Sequence, residues 1–200
     1  MELRDIIDVN ELFAPMYPFV AEQVIATYGR KSGEALEIGP FAGGLSIELA
    51  NRLPDLRITV GDDFPGVTAY FEEKVHKCSL RDRIQVREIS KTRLPFPKES
   101  FDLVLFRGGL GFWDERVQIL QEAYRVLKKQ GLAMVGGGFG ASAPDSLIES
   151  IAKRSRELNR KLGKRVLTEE QLVDVLREAG VESFSSIDRR HGLWAIVRKP

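Results

Sequence analysis

The feature that most narrows the possible folds is an alternation. Short runs rich in β-branched and aromatic residues are separated by longer stretches with helical periodicity. Strand-like runs at 34–38, 57–60, 84–89, 101–106 and 132–135 alternate with helical patterns near 15–28, 45–52, 67–78, 117–127, 145–162 and 168–179. Parallel strands need long crossovers, and helices of this length supply them, so the order predicts an α/β chain with helices on both faces of one sheet. The run Phe101–Phe106 is almost wholly apolar, as a strand covered on both faces must be. Val181–Asp188 and Leu193–Val197 flank Arg189–Gly192 and read as a terminal hairpin that closes one side antiparallel. The expectation is a three-layer, seven-stranded sheet, mostly parallel with an antiparallel C-terminal hairpin strand. It forms one domain over residues 1–200: a helical cap segment at 1–30, a ligand-binding core at 34–140, and helices with the hairpin at 141–200. Most all-α, all-β and barrel folds are excluded.

Local punctuation supports the element ends. Lys128-Lys129-Gln130-Gly131 sets basic residues at the negative end of a helix, followed by a candidate C-cap glycine. Thr168-Glu169-Glu170-Gln171 has the spacing of a capping box. Lys and Arg total 30 against 29 Asp and Glu, so no global charge draws the chain to nucleic acid or acidic membranes. No apolar run approaches the ~18 residues of a membrane span, and the start MELRDIIDVNEL is too acidic for a signal peptide. A cytoplasmic protein, monomer or homodimer, is expected. The single cysteine, Cys78, excludes an internal disulfide or a multi-cysteine metal site. It is read as a small, partly buried residue, and no metal site is expected.

Chemistry concentrates first in Ala35–Gly44, where a buried strand ends in Glu37, turns through Gly39-Pro40-Phe41-Ala42-Gly43 and enters a helix. Glycines there let a ligand lie against the backbone, with N–H groups at the helix start facing it. An ordinary βα turn reads the same way, so the turn alone supports only a nucleotide-binding guess. The next strand ends in Val60-Gly61-Asp62-Asp63-Phe64, which offers carboxylates suited to two ribose hydroxyls.

Taken with Leu94-Pro95-Phe96-Pro97-Lys98-Glu99-Ser100-Phe101-Asp102 and Tyr124-Arg125-Val126-Leu127-Lys128-Lys129-Gln130-Gly131, these motifs resemble class I S-adenosylmethionine-dependent methyltransferases. The likeness is greatest to the small-molecule branch that includes the ubiquinone and menaquinone biosynthesis methyltransferases. The resemblance implies a Rossmann-like sheet, S-adenosyl-L-methionine as cofactor and a small-molecule acceptor. It further implies that Glu37, Gly39, Pro40, Phe41 and Gly43 face the methionine part. Asp63 matches the ribose acid, with Asp62 the fallback, and Phe64 packs on the adenine. Ile89 and Ser90 stand where the adenine is read. Phe106 and Arg107 line the methionine end and the substrate approach.

Two residues depart from the family pattern. Phe41 occupies the place of a middle glycine, and Ser90 that of an adenine-reading aspartate. The substrate clue is apolar: Tyr17, Phe112, Trp113 and Phe139, with Arg107, are the candidate pocket. Gly136–Gly138 reads as lid material or as a loop passing close to the cofactor. The basic run Lys153–Arg165 is either a solvated helix face or a grip for an anionic substrate or RNA, nucleic acid being the weaker half. His76 is expected at the surface, and His191 at the wrong end of the sheet, so no catalytic base is assigned. The function read is methyl transfer to a small, apolar or aromatic molecule. The rivals are a non-catalytic S-adenosylmethionine- or nucleoside-binding protein and, behind it, an NAD(P)-dependent oxidoreductase.

Overall fold

The computed structural model describes residues Glu2–Pro200. Strands β1 (Ser32–Ile38), β2 (Asp55–Asp62), β3 (Ile84–Glu88), β4 (Phe101–Arg107), β5 (Leu127–Gly138), β6 (Ser185–Asp188) and β7 (Gly192–Arg198) form one sheet in the order β3-β2-β1-β4-β5-β7-β6. The first five pair parallel, and β7 runs antiparallel to both β5 and β6. The order reverses direction between β1 and β4. Loops leaving the carboxyl ends there diverge to opposite faces and open a crevice, the usual place for a ligand in such sheets.

Seven helices flank the strands: α1 (Leu3–Phe13), α2 (Tyr17–Tyr28), α3 (Gly44–Arg52), α4 (Val67–Lys77), α5 (Arg116–Val126), α6 (Asp145–Lys161) and α7 (Glu169–Glu178). Alternate strand residues serve opposite faces, so each buried strand feeds two cores. Ala35, Leu103 and Leu105 pack with Ile6, Val20, Leu49 and Leu158 on one side. Leu36, Ile38, Val104 and Phe106 pack with Ile119, Leu120, Leu172 and Leu176 on the other. None of these helices is long and apolar enough to cross a membrane.

The structure departs from the sequence expectation in several places. The helical cap segment expected at 1–30 holds two helices, and α1 precedes the single helix read there; its Ile6, Val9 and Phe13 recur at helical spacing and are buried. Helix α5 ends at Val126, because Leu127 already pairs with Phe101 in the sheet. The left-handed residue is therefore Gln130, at φ 60°, and Gly131 is not a C-cap. Gly136–Gly138 is neither lid nor loop but the end of β5, paired with Gly192–Trp194. Glycine is required at Gly136, where φ is 147° and a Cβ would lie 2.2 Å from the Leu193 carbonyl oxygen. The segment before β6 opens with a short 3-10 turn, Glu182–Phe184. Cys78 is exposed at the end of α4, not partly buried. The capping box of α7 forms as read: Gln171 N donates to Thr168 Oγ1 (3.2 Å) and Thr168 N to Gln171 Oε1 (3.0 Å).

The hairpin is locked to the body through Asp188. Its carboxylate accepts from Gln23 Nε2 on α2 (2.9 Å), the Arg190 amide (2.9 Å) and the Arg190 guanidinium (2.6 Å). The Arg190 hydrogen bonds are the main cause holding the Asp188 pKa down at about 2. A depressed carboxylate pKa contributes stability that is present above the unfolded-state value and lost as pH falls through the folded one. Asp188→Asn should therefore cost about 1–2 kcal/mol at pH 7 in urea titration, discounted because Arg190 is exposed. The gap to the parent protein should close as the pH falls from ~4 towards ~2.

Candidate cofactor and substrate site

The turn after β1 is built around one carboxylate. Glu37 is fully buried, and its Oε2 accepts from Gly43 N (3.0 Å), Ser46 N (3.1 Å) and Ser46 Oγ (2.6 Å). It thus pins the turn to the start of α3 and satisfies two amides at the helix N-terminus. Burial pushes the Glu37 pKa up, and the Ser46 and Gly43 hydrogen bonds oppose the shift. Gly39 takes φ 110°, and a Cβ there would meet the Phe106 ring at 2.8 Å, so glycine alone fits. Its amide donates to the Gly61 carbonyl of β2 (3.0 Å), which joins the two strand ends.

Phe41, the departure from the family pattern, does not open the turn. Its ring is buried and lies 5.2 Å from the Phe112 ring, while its carbonyl accepts from Arg107 (2.8 Å). Asn10 of α1 donates to the Pro40 carbonyl (3.1 Å), so the N-terminal helix also holds the turn.

At the end of β2, Asp62 is fully buried and Oδ1 accepts from Phe64 N (2.8 Å), whereas the Asp63 side chain is 41% exposed. Lys91 bridges the pair, with Nζ 3.2 Å from Asp62 Oδ2 and in contact with Asp63 Oδ1. The ammonium is itself covered by the Trp113 ring, 4.8 Å from its centroid. Burial raises the Asp62 pKa, and the Lys91 charge acts against it. Ile89 is buried beside Gly61, and Ser90 Oγ lies 3.2 Å from Thr92 Oγ1. Lys91 carries no motif of its own. Only the sheet register, with β3 beside β2, brings it to the acids.

Beyond Phe41 a cavity of about 790 Å³ opens, walled by the ends of β4 and β5, by α1 and α6, and by the loop before α7. Phe13, Phe41, Leu110, Phe139, Ile148 and Leu193 give it an apolar body. Of the expected substrate residues, Arg107 and Phe139 line this space. Phe112 and Trp113 stand behind Phe41 and Phe106, and Tyr17 donates its hydroxyl to Asn10 Oδ1 (2.7 Å). Burial raises the Tyr17 pKa to about 12, so it stays protonated.

Phe106 is buried against Gly39, Gly109 and Trp113 and belongs to the core. His191 corrects the sequence reading. Because β7 runs antiparallel to β5, the turn at 189–191 falls at the carboxyl end, where His191 lines the cavity with Nδ1 3.2 Å from the Gly140 carbonyl oxygen. His76 is exposed on α4, as expected.

Comparison with known proteins agrees with this geometry. The family model described as a methyltransferase domain matches residues 36–135, and the chain belongs to that family. A solved structure from Methanococcus maripaludis, described as a candidate S-adenosyl-L-methionine-dependent methyltransferase, superposes with a TM-score of 0.84 at 30% identity and covers 99% of this chain and 93% of that one. The ubiquinone/menaquinone biosynthesis C-methyltransferase of Geotalea daltonii is 30% identical over 105 residues, 52% of this chain and 45% of that protein. The 27-O-demethylrifamycin SV methyltransferase of Amycolatopsis mediterranei is 28% identical over 152 residues, 72% of this chain and 55% of that protein. The chain spans about half the length of the first curated relatives it matches.

S-adenosylmethionine is the cofactor that this family implies, and the residues present fit it. Among the described residues, Glu37 Oε1 is a buried acceptor without a hydrogen-bond partner, and buried Asp62 Oδ2 has the Lys91 ammonium 3.2 Å away; the two acids sit near the carboxyl ends of the adjacent strands β1 and β2. The carboxylate that organises the turn has a measurable signature. Glu37→Leu strands two amides and a hydroxyl in the interior, and should cost about 3 kcal/mol or more in denaturant titration.

Proposed function

We propose that the chain catalyses methyl transfer from S-adenosylmethionine to a small molecule with an apolar or aromatic body. The observation that carries this is the junction at Phe41 and Arg107. There the glycine turn, which ends the nucleoside crevice, meets a cavity of about 790 Å³ with apolar walls. In this reading Asp63, with Asp62 behind it, holds the ribose hydroxyls. Phe64 and Ile89 flank the adenine, and Ser90 supplies a neutral contact at its edge. The backbone of Gly39–Gly43 lies along the methionine part. Pro40, Phe41 and Arg107 stand where that part meets the acceptor.

When bound, the cofactor supplies a methyl group already activated on a sulfonium, so positioning can carry much of the rate. The protein's share is to hold the acceptor against the Phe41 wall and to keep water out of the junction. His191 lines the cavity and brings the one imidazole among its lining residues, with Nδ1 3.2 Å from the Gly140 carbonyl oxygen. Relatives whose names carry quinone and rifamycin substrates support an acceptor with a ring system. The residues Gly39-Pro40-Phe41-Ala42-Gly43-Gly44 do not spell the G-x-G-x-x-G turn that a nicotinamide enzyme needs, which places the oxidoreductase reading last.

Calorimetric titration with S-adenosylhomocysteine, S-adenosylmethionine and NAD tests the reading. Both sulfur nucleosides should bind and NAD should not. Binding without turnover on any aromatic acceptor would leave a binding protein of the same fold. Asp63→Ala should weaken S-adenosylhomocysteine about tenfold, the loss of one charge-assisted contact. Asp62→Ala should chiefly lower stability, because Asp62 supports the Phe64 amide. Lys91→Ala should tighten nucleoside binding at pH 8, because it removes the internal cation that competes for both carboxylates. Unchanged or weaker binding would show that Lys91 does not cover the ribose site.

A further inference from the structure

We infer that the cavity selects an organic anion, and that Arg107 and Lys164 hold the carboxylate or phosphate of an otherwise apolar substrate. The inference deepens the methyl-transfer reading by naming its substrate class, yet the recognition of an anion stands independently of the reaction. Arg107 is 4% exposed, at the end of β4. Its guanidinium donates to two neutral acceptors, the Phe41 carbonyl (2.8 Å) and the Tyr17 hydroxyl (3.1 Å), while Nε is buried without a partner. The Phe13 and Tyr17 rings lie 5.2 and 4.9 Å from its centre. Aromatic faces ease the burial of a cation but do not neutralise it. Among the described residues no carboxylate forms an ion pair with it within 4 Å; Glu37 is near enough to feel its charge, but its Oε2 is taken by Gly43 and Ser46. A buried charge with no directly paired counter-ion is expensive, so a ligand that brings one converts part of that cost into affinity.

A second cation faces the same space. Lys164 lies over the Phe112 ring at 5.6 Å and has no ion-pair partner among the described residues. Burial, with repulsion from Arg107, lowers its pKa to about 8, so it is still charged at neutral pH. Arg156 and Arg160, one helical turn apart on α6, stand at the rim of the cavity. The basic run 153–165 therefore divides by role. Arg154, Lys161 and Arg165 pair with Glu157, Asp5 and Asp114, whereas Arg156, Arg160 and Lys164 line the cavity without an ion-pair partner among the described residues; Arg165 lines it as well, and Lys153 does neither. The acid among the lining residues is Asp145, placed 3.7 Å from His191 Nε2. A chain of net charge +1 thus concentrates unpaired positive charge in one apolar hollow. A concave, apolar-walled space suits a small amphipathic anion and not an RNA strand.

The test titrates 2-naphthoate, 2-naphthyl phosphate and the neutral 2-naphthamide into the intact protein by calorimetry at pH 7, with and without S-adenosylhomocysteine. At least one anion should bind about tenfold or more tighter than the amide, and Lys164→Met or Arg107→Gln should remove most of that preference. Lys164 stands at the cavity wall, so its variant keeps the test open if Arg107→Gln does not fold. Equal affinity of both anions and the amide for the parent protein overturns the inference. A second arm compares S-adenosylhomocysteine with 5′-methylthioadenosine, which lacks the amino-acid carboxylate. If the variants weaken only S-adenosylhomocysteine and leave the naphthoate-to-naphthamide ratio unchanged, the cations serve the cofactor and the inference is overturned. If S-adenosylhomocysteine fails to bind while the anion preference persists, the inference stands and the methyl-transfer reading is lost.

Discussion

The buried guanidinium of Arg107 joins the parts of this molecule that must act together. It reaches from the end of β4 to the Phe41 carbonyl in the glycine turn and to Tyr17 at the start of α2. Through Tyr17 it reaches Asn10, which in turn holds Pro40. Turn, N-terminal helices and cavity wall therefore share one cation, and moving any of them disturbs the others. Glu37 performs the complementary task inside the turn, where one carboxylate oxygen gathers three donors. The two groups have opposite charge but do not pair directly. One fixes the backbone of the glycine turn; the other faces the cavity beyond it.

This division accounts for Phe41. A glycine at that place would leave the turn open to the cavity, and the phenyl ring fills the gap instead, packed on Phe112. The family's glycine pattern is thus altered without loss of the turn, because Gly39 and Gly43 retain the positive φ values the chain needs. The consequence is that a side chain, Phe41, forms the cavity wall next to the glycine turn. A similar economy appears at β5, where three glycines continue the strand and bring β7 and the His191 turn against the cavity.

The fold was legible wherever local periodicity decides structure. The five parallel strands, the hairpin and the α7 capping box follow from spacing and cap chemistry. Acid positions at the ends of β1 and β2 were also readable, since a strand followed by a glycine turn fixes where its last side chain sits. What could not be read depends on contacts between distant segments. Lys91 meets Asp62 and Asp63 only because β3 lies beside β2, and Asn10 meets Pro40 across 30 residues. His191 was set at the far end because β7's direction relative to β5 decides where its turn falls. Helix α1 was not separated from α2 in the cap segment because acids interrupt its apolar spacing, and one of them, Asp5, is itself buried. The basic run was ambiguous because charge in sequence does not reveal which side chains find partners.

On the proposed reading, the crevice at Glu37–Gly43 and Asp62–Phe64 meets the cation-bearing cavity at Phe41. A crystal structure with bound S-adenosylhomocysteine tests it most directly. The ribose is expected at Asp63 with Lys91 displaced, and the sulfur at Phe41 facing the Arg107 wall. A nucleoside bound elsewhere, or a sulfur turned away from the cavity, would contradict it.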